Sequence, residues 1–327
     1  MISIIGATHP GQRGHNEDCF IASSAQGVGL VADGMGGYAC GEVASDMVKQ
    51  IIEEAVSNNE GLTEAIARAH AVVKEAAAAD EKKAGMGSTA IVFKMQGMDY
   101  ELAWVGDSRA YLWSKNQGEL RQITRDHSYV ETLLSSGAIS KQEAINHPNR
   151  NLITQAVGVA GENGLEIEVI HGRLGVGQQL MICSDGLVDE VLDRDIASLM
   201  SAATNSEEAL NSLVTAAVEA GGRDNITVVL ASIENDLAVD DPALEREAIA
   251  PVAVRTTFLN EGPQPAAPSG SPPVKDFIET AVHEAKEASI VNTKWAGIID
   301  VVTLNAHMIV SGMVVAIVVV GVLFYLS

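Results

Sequence analysis

Four acidic clusters lie far apart in the chain, each at the edge of an apolar run. They are Asn16-Glu17-Asp18, Asp33-Gly34, Ser184-Asp185-Gly186 and Asp224-Asn225. Carboxylate oxygens are the ligands that hard divalent ions such as Mg²⁺ and Mn²⁺ prefer. Two carboxylates about 4 Å apart repel by roughly 4 kcal/mol at an effective dielectric constant near 20, so their convergence requires protons or cations. The clusters therefore predict a metal site that folding assembles.

Three of these clusters adjoin segments with the composition of β-strands. The segments are Val28 to Ala32, Gln179 to Cys183 and Ile226 to Ala231. The glycine or asparagine beside each carboxylate permits a tight turn at the end of the strand. We therefore expect strand ends to point several carboxylates at one place.

The other elements occur in groups of helices and groups of strands. Apolar spacing predicts helices over 41–56, 62–79, 129–136, 141–145, 194–200 and 206–220. Short β-prone runs separated by glycine-containing turns fill 89–113, and another strand is predicted over 165–169. This order favours an α+β fold of layered sheets and helices over a doubly wound sheet.

Three common motifs for nucleotide binding or nucleophilic catalysis do not fit this sequence. The run from Gly34 to Ala39 matches the dinucleotide pattern G-x-G-x-x-A. A dinucleotide fold needs a strand after the following helix, whereas the segment from Leu62 is predicted to be a second helix. The run from Gly106 to Ala110 lacks the second glycine of a nucleophile elbow, and the sequence contains no G-x-x-x-x-G-K-[ST] loop.

The charge of the chain restricts its partners. The 327 residues include 21 Lys and Arg against 43 Asp and Glu, a formal net charge of -22. Nucleic-acid binding depends on clustered cations, so we expect no nucleic-acid partner. Cys19, Cys40 and Cys183 lack paired spacing, which is typical of a reducing compartment. Residues 1–14 contain no basic stretch followed by an apolar core, so we expect no export signal.

The composition changes after a predicted domain at 1–236. Seven of the nine prolines lie between Pro242 and Pro273, which predicts a Pro/Ala-rich linker at 237–275. Helical spacing of apolar residues predicts a juxtamembrane helical segment at 276–303. The uncharged run from Met308 to Leu326 would span about 28 Å as a helix, so 304–327 is predicted to be a C-terminal transmembrane helix. A buried core helix is the alternative. Lysines precede this run, which favours a single-pass anchor in the cell inner membrane with a cytoplasmic main body.

One ordered set of motifs covers the whole predicted domain. Its members are Arg13-Gly14-His15-Asn16-Glu17-Asp18, Asp33-Gly34-Met35-Gly36-Gly37, Gly87-Ser88-Thr89-Ala90, Gly106-Asp107-Ser108-Arg109-Ala110, Ser184-Asp185-Gly186 and Asp224-Asn225-Ile226-Thr227. The set resembles the metal-dependent protein phosphatases of the type 2C (PPM) family, bacterial branch, from about residue 3 to residue 234. The resemblance implies a four-layer αββα sandwich of two antiparallel sheets flanked by helices. It also implies hydrolysis of phosphoserine and phosphothreonine on proteins by water that two Mn²⁺ or Mg²⁺ ions activate.

The resemblance assigns roles residue by residue. Asp33 is similar to the carboxylate that bridges two ions, and Gly34 to the residue that offers its carbonyl oxygen to one of them. Asp185 and Asp224 are similar to ligands of the first ion. We expect Asp33, Asp185 and Asp224 to carry the activity.

Further positions match the periphery of such a centre. Glu17 is similar to a residue that binds the second ion through water, and Asp18 to one that orients bound water. Asp107 is similar to a ligand of a weaker third ion. Arg13 matches the phosphate-binding arginine, whose planar guanidinium suits two phosphate oxygens. Met35 departs from eukaryotic relatives, which have His there, so the proton donor to the leaving group is left open.

Two functional hypotheses follow. The first is a membrane-anchored phosphatase that acts on cytosolic or membrane-proximal phosphoproteins, with a transmembrane Ser/Thr kinase as its expected counterpart. The second is a non-catalytic, metal-loaded scaffold that binds phosphoproteins. A missing metal carboxylate would favour the scaffold, and the sequence lacks none of them.

Overall fold

The computed structural model describes residues 1–37, 40–159 and 164–233, together with the backbone of 252–259. The strands are β1 (Ile2–His9), β2 (Asp18–Ser23), β3 (Val28–Met35), β4 (Gly87–Ser88), β5 (Ala90–Gln96), β6 (Asp99–Val105), β7 (Arg109–Ser114), β8 (Glu119–Gln122), β9 (Leu165–Arg173), β10 (Gln178–Cys183), β11 (Ile226–Ile233) and β12 (Val252–Leu259). The α-helices are α1 (Cys40–Ser57), α2 (Leu62–Ala79), α3 (Tyr129–Ser135), α4 (Lys141–Ile145), α5 (Asp185–Val188), α6 (Asp193–Ala202) and α7 (Ser206–Ala220).

The strands form two antiparallel sheets. One has the order β1-β11-β10-β7-β8, and the other has the order β12-β9-β6-β5-β3-β2 with β4 paired to β3. Sequence neighbours such as β5 and β6 pair directly, and β11 lies between β1 and β10. Strand ends from distant parts of the chain are thereby brought side by side.

Alternation along the strands creates three apolar cores. In β5, Ile91 faces the core between the sheets, whereas Val92 faces the core under α1 and α2. In β11, Val229 faces the central core and Val228 faces α5, α6 and α7. Because both faces of each sheet are covered, the strands read as continuous apolar runs. The layers are helices, sheet, sheet and helices, as predicted.

Strand β3 is longer than the sequence predicts. The sequence predicts that it ends before a turn at Asp33 and Gly34, but it continues to Met35 because its last two residues pair with β4. A Cβ atom at Gly34 would collide with the backbone of Gly41 and of Glu17. The glycine is therefore needed for close approach of neighbouring backbone, and the predicted turn is wrong.

The predicted linker at 237–275 also contains a strand. Residues 252–259 form β12, which pairs antiparallel with β9 at the edge of the larger sheet. The segment VAVRTTFL is rich in β-branched residues, which favour strands. The prolines on either side of this strand dominate the composition of 237–275, and that composition predicts a linker.

No helix among the described residues is long and apolar enough to cross a bilayer. The juxtamembrane segment at 276–303 and the transmembrane helix at 304–327 both lie outside the described residues.

Candidate active site

Five aspartates from five elements meet where strand ends of the two sheets lie together. Asp18 begins β2 and lies directly opposite Asp33 on β3. Asp107 lies in the turn between β6 and β7, Asp185 is the first residue of α5, and Asp224 precedes β11. The charges of the other four all act on the carboxyl group of Asp33. The structure thus brings together the aspartates that the sequence predicts.

Burial and mutual repulsion make these carboxyl groups hard to ionise. Burial raises the pKa of Asp33 well above its usual range, and the four neighbouring negative charges raise it further. Burial followed by the charge of Asp107 raises the pKa of Asp185 in the same way. The pKa of Asp107 rises to about 7, mainly through burial and then through the charge of Asp126. The site therefore favours protons or cations.

Asp18 is held by two hydroxyl groups. Its Oδ2 accepts hydrogen bonds from Ser184 Oγ at 2.8 Å and from Thr227 Oγ1 at 2.6 Å. Burial raises the pKa of Asp18 to about 6, although both hydrogen bonds act in the opposite direction. The hydroxyls fix the carboxylate plane, so its other oxygen has a defined direction. The sequence motifs contain both residues but indicate no role for their hydroxyls: Ser184 precedes Asp185, and Thr227 lies three residues after Asp224.

The carboxylate oxygens that lack a hydrogen-bond partner at this site suit a hard divalent ion. Among the described residues, the Oδ1 atoms of Asp18, Asp107 and Asp185 are buried without a hydrogen-bond partner. A buried unpaired acceptor costs about 1–3 kcal/mol, which a bound cation would offset. An all-oxygen donor set fits Mg²⁺ or Mn²⁺.

The carboxylates are near one another without forming a closed cage. Within the ranges that the structure describes, no group of three or more His, Cys, Asp or Glu side chains is arranged to hold a metal ion. Like charges resist close approach until a cation offsets their repulsion. The donor chemistry and the buried unpaired oxygens nevertheless favour a cation at this place.

Thr89 connects Asp33 to the turn that carries Asp107. The Thr89 amide donates to the Asp33 carbonyl at 2.8 Å, and the Asp33 amide donates to Thr89 Oγ1 at 2.9 Å. The same hydroxyl lies 2.8 Å from Ser108 Oγ. All three backbone segments are thus tied together beneath the carboxylates.

Asn225 fixes the segment that carries Arg13 and Glu17. Its Nδ2 donates to the carbonyl oxygens of Pro10 at 2.9 Å and His15 at 3.0 Å. Its Oδ1 accepts a hydrogen bond from the Glu17 amide at 2.8 Å. We assigned no role to Asn225 from the sequence, where its position next to Asp224 was the available signal.

Glu17 lies at the first turn of α1. Its carboxyl carbon is 2.8 Å from the position that a Cβ atom on Gly41 would take, so only glycine leaves room there. A helix N-terminus favours a negative charge. Burial nevertheless raises the pKa of Glu17, while the charge of Arg13 acts in the opposite direction. The amide of Gly34 donates to the Glu17 carbonyl at 3.1 Å, which joins the two predicted metal-binding positions.

Arg13 lies at the exposed rim of the site. Its Nη2 donates to Asp224 Oδ2 at 2.7 Å, and its Nε donates to the Arg223 carbonyl at 3.2 Å. The predicted phosphate-binding residue is thus paired with a predicted metal ligand. The guanidinium therefore lies next to one carboxylate of the cluster.

A cavity of about 600 Å³ opens beside Asp107 and Asp185. One wall comes from α3, α4 and the residues around them, and the other comes from α5 and the start of α6. The Arg150 Nη2 and Asp189 Oδ2 atoms, 3.4 Å apart, join the two walls. This cavity provides room for a bulky substrate next to the acidic cluster.

The chain resembles proteins of known activity in both sequence and fold. The sequence profile described as Protein phosphatase 2C matches residues 10–132. The serine/threonine phosphatase Stp of Listeria welshimeri is 35% identical over 231 residues, which cover 67% of this chain and 90% of that protein. The structure of the Mycobacterium tuberculosis serine/threonine phosphatase PstP/Ppp matches with a TM-score of 0.65 at 32% identity, over 72% of this chain and 99% of that one. The catalytic domain of PstP in complex with two manganese ions matches with a TM-score of 0.62 at 31% identity, over 72% and 100% of the two chains.

Proposed function

Because the chain belongs to the protein phosphatase 2C family and is a protein-serine/threonine phosphatase, we propose that two Mn²⁺ or Mg²⁺ ions at the aspartate cluster support its hydrolysis of phosphoproteins. The observation that carries this proposal is the convergence of four other aspartates on the buried carboxyl group of Asp33. We assign Asp33 to both ions, Asp185 and Asp224 to the first, and Asp107 to a weaker third ion. The Gly34 carbonyl and Glu17 complete the set.

When bound, the ions would offset charge on the phosphoryl group and acidify water. The chain supplies the positioning. Asp18, fixed by two hydroxyls, presents Oδ1 to orient water in the site. Arg13 presents a planar guanidinium that suits two phosphate oxygens. The thioether of Met35 carries no proton, so water is the proposed proton donor to the leaving alkoxide.

The assigned mechanism is tested by turnover of a phosphothreonine peptide with Mn²⁺. Asp33→Asn keeps the shape of the side chain and removes its charge, so we expect kcat to fall by at least about 100-fold. Asp99→Asn is the matched control, because Asp99 is 65% exposed and pairs with Arg173. Circular dichroism verifies that both variants fold. Undiminished turnover by Asp33→Asn would refute the assignment.

We also propose that residues 304–327 anchor the protein in the cell inner membrane with its phosphatase domain in the cytoplasm. The uncharged run from Met308 to Leu326 supports this proposal. Tethering raises the effective concentration of the enzyme against membrane-bound phosphoproteins, and a transmembrane Ser/Thr kinase is the expected partner.

The anchor is tested by comparing the full-length protein with a version that ends at residue 260, which keeps β12. The full-length protein should be found with the membrane and should dephosphorylate a membrane-bound phosphoprotein faster. Both versions should act equally on a soluble phosphopeptide. Equal action on the membrane-bound substrate would remove the support for an anchor.

A further inference from the structure

His127 holds the residue before Asp107 at two points. The His127 amide donates to the Gly106 carbonyl at 2.9 Å, and the Gly106 amide donates to His127 Nδ1 at 3.2 Å. Gly106 has a φ of 109°, in the region that favours glycine. The amide and the carbonyl of Gly106 are thus both hydrogen-bonded to His127. The direction of the next side chain, Asp107, depends on this turn.

The imidazole ring is itself fixed. Because Nδ1 accepts a hydrogen bond, the neutral ring carries its hydrogen on Nε2, which lies 3.4 Å from Glu168 Oε1. Glu168 is 3% exposed and lies on β9, and Arg125 Nη2 approaches the same oxygen at 3.4 Å. Trp104 stacks on the ring, with centroids 6.4 Å apart. The contact of Nε2 with Glu168 and the stacking of Trp104 on the ring therefore hold the imidazole in place. In this orientation Nδ1 accepts the hydrogen bond from the Gly106 amide.

His127 also lies at the base of the segment 129–152, which we call the flap and which includes α3 and α4. The Thr154 amide donates to the His127 carbonyl at 2.8 Å, and the Tyr129 amide donates to the Leu152 carbonyl at 2.9 Å. The two ends of the flap therefore meet beside His127. One residue contacts both the flap base and the Asp107 turn.

We propose that His127, oriented by Glu168, is a positioning residue that holds the Asp107 carboxylate in place for a divalent ion. The contact to Gly106 through Nδ1 carries this role, and Asp107 Oδ1 is among the buried unpaired oxygens of the described residues. The inference rests on the proposed function in one respect, namely that Asp107 binds an ion.

Two isosteric variants separate the two nitrogens of the ring. In His127→Asn, the amide oxygen takes the place of Nδ1 and keeps the acceptor for Gly106. In His127→Gln, the longer amide reaches the place of Nε2 and leaves Gly106 without its acceptor. The measurement is Mn²⁺ binding to the full-length chain, followed by the electron paramagnetic resonance of free Mn²⁺. His147→Asn is the control, because His147 Nδ1 accepts a backbone hydrogen bond within the flap, from Asn149 at 3.1 Å.

We expect His127→Gln to raise the Kd of the weakest-binding Mn²⁺ by about 10-fold or more, as Asp107→Asn should. His127→Asn should stay within about 3-fold of the unaltered protein, and His147→Asn should not differ from it. High Mn²⁺ should restore the activity of His127→Gln towards p-nitrophenyl phosphate, which a purely structural defect would not allow. Equal Mn²⁺ binding by the Asn and Gln variants would overturn the inference, as would unchanged binding by Asp107→Asn.

A second measurement needs no variant of His127 and stands if one fails to fold. During titration of the unaltered protein with diamagnetic Mg²⁺, the amide resonance of Gly106 should shift as the weakest site fills. A resonance that stays fixed at saturation would overturn the inference. Failure of the proposed function would appear separately, as absent phosphopeptide turnover by a protein that still binds Mn²⁺.

Discussion

Asp18→Asn should stabilise the metal-free protein at pH 8 and destabilise the Mn²⁺-loaded protein relative to the unaltered chain. Asp18 is buried directly opposite Asp33, and its pKa rises from 3.8 to about 6, mainly through burial. A carboxyl group whose pKa is higher in the folded state contributes its full stability below pH 3.8 and loses it as the pH rises through about 6. At pH 8 the metal-free protein therefore contains an unfavourable ionised carboxylate.

The size of the effect follows from the two pKa values. The interval between 3.8 and about 6 corresponds to about 3 kcal/mol of the free energy of unfolding. Asparagine keeps an oxygen that can accept the hydrogen bonds from Ser184 and Thr227. The substitution should therefore recover most of this energy, about 2 kcal/mol, in the absence of metal.

Urea unfolding in EDTA at pH 5, 6, 7 and 8 measures this effect, and the series is repeated with excess Mn²⁺. The stability advantage of Asp18→Asn should grow between pH 5 and pH 7 and reverse when Mn²⁺ is present. The control is Asp99→Asn, which replaces an exposed carboxylate. An advantage that stays constant with pH, or a less stable variant in EDTA at pH 8, would refute the reasoning.

The hydrogen bonds beneath the site give two further predictions. Thr89→Val removes the acceptor of the Asp33 amide and should lower the free energy of unfolding by about 1–3 kcal/mol, whereas Thr89→Ser should retain most of it. Urea unfolding measures both, and equal losses would contradict the role of the hydroxyl. Asn225→Ala removes three hydrogen bonds to the segment that carries Glu17, so the Kd for Mn²⁺ should rise about 10-fold with unchanged circular dichroism. Unaltered Mn²⁺ binding in calorimetry would show that this segment needs no such support.

Much of the fold follows from local apolar patterns. The spacing in 62–79 and 206–220 predicts helices that coincide with Leu62–Ala79 and Ser206–Ala220. The sequence patterns do not predict strands β1, β2, β4, β8 and β12. Strand β8 has no buried residue, since its pattern alternates between exposed and partly buried positions, so it lacks the apolar run on which strand prediction relies. Pairing with β7 defines it, and that pairing is tertiary information.

The aspartates of the site could be predicted from the sequence, whereas the residues that hold them by hydrogen bonds could not. Aspartates beside apolar runs are noticeable in a sequence because burying a charge is costly unless it is paired or binds a metal. Ser184 and Thr227 do not stand out, because hydroxyl groups are common and their shared partner Asp18 lies 166 and 209 residues away. Asn225 contacts the opposite end of the chain in the same way. Hydrogen bonds between distant residues leave no local pattern in the sequence, so they become visible only in the folded structure.

The pair of Arg13 and Asp224 should link phosphate binding to metal binding. The guanidinium donates to Oδ2 of Asp224, a residue that we propose binds the first ion. An ion at Asp224 would compete with Arg13 for this oxygen and leave the guanidinium available to a phosphate. Linkage requires the effect to be reciprocal, so phosphate should also strengthen Mn²⁺ binding. Calorimetry with inorganic phosphate should therefore show a gain in affinity on addition of Mn²⁺ that is at least about 3-fold smaller in Arg13→Ala. An equal gain in both proteins would mean that the ions alone hold the phosphate and that Arg13 serves only to pair with Asp224.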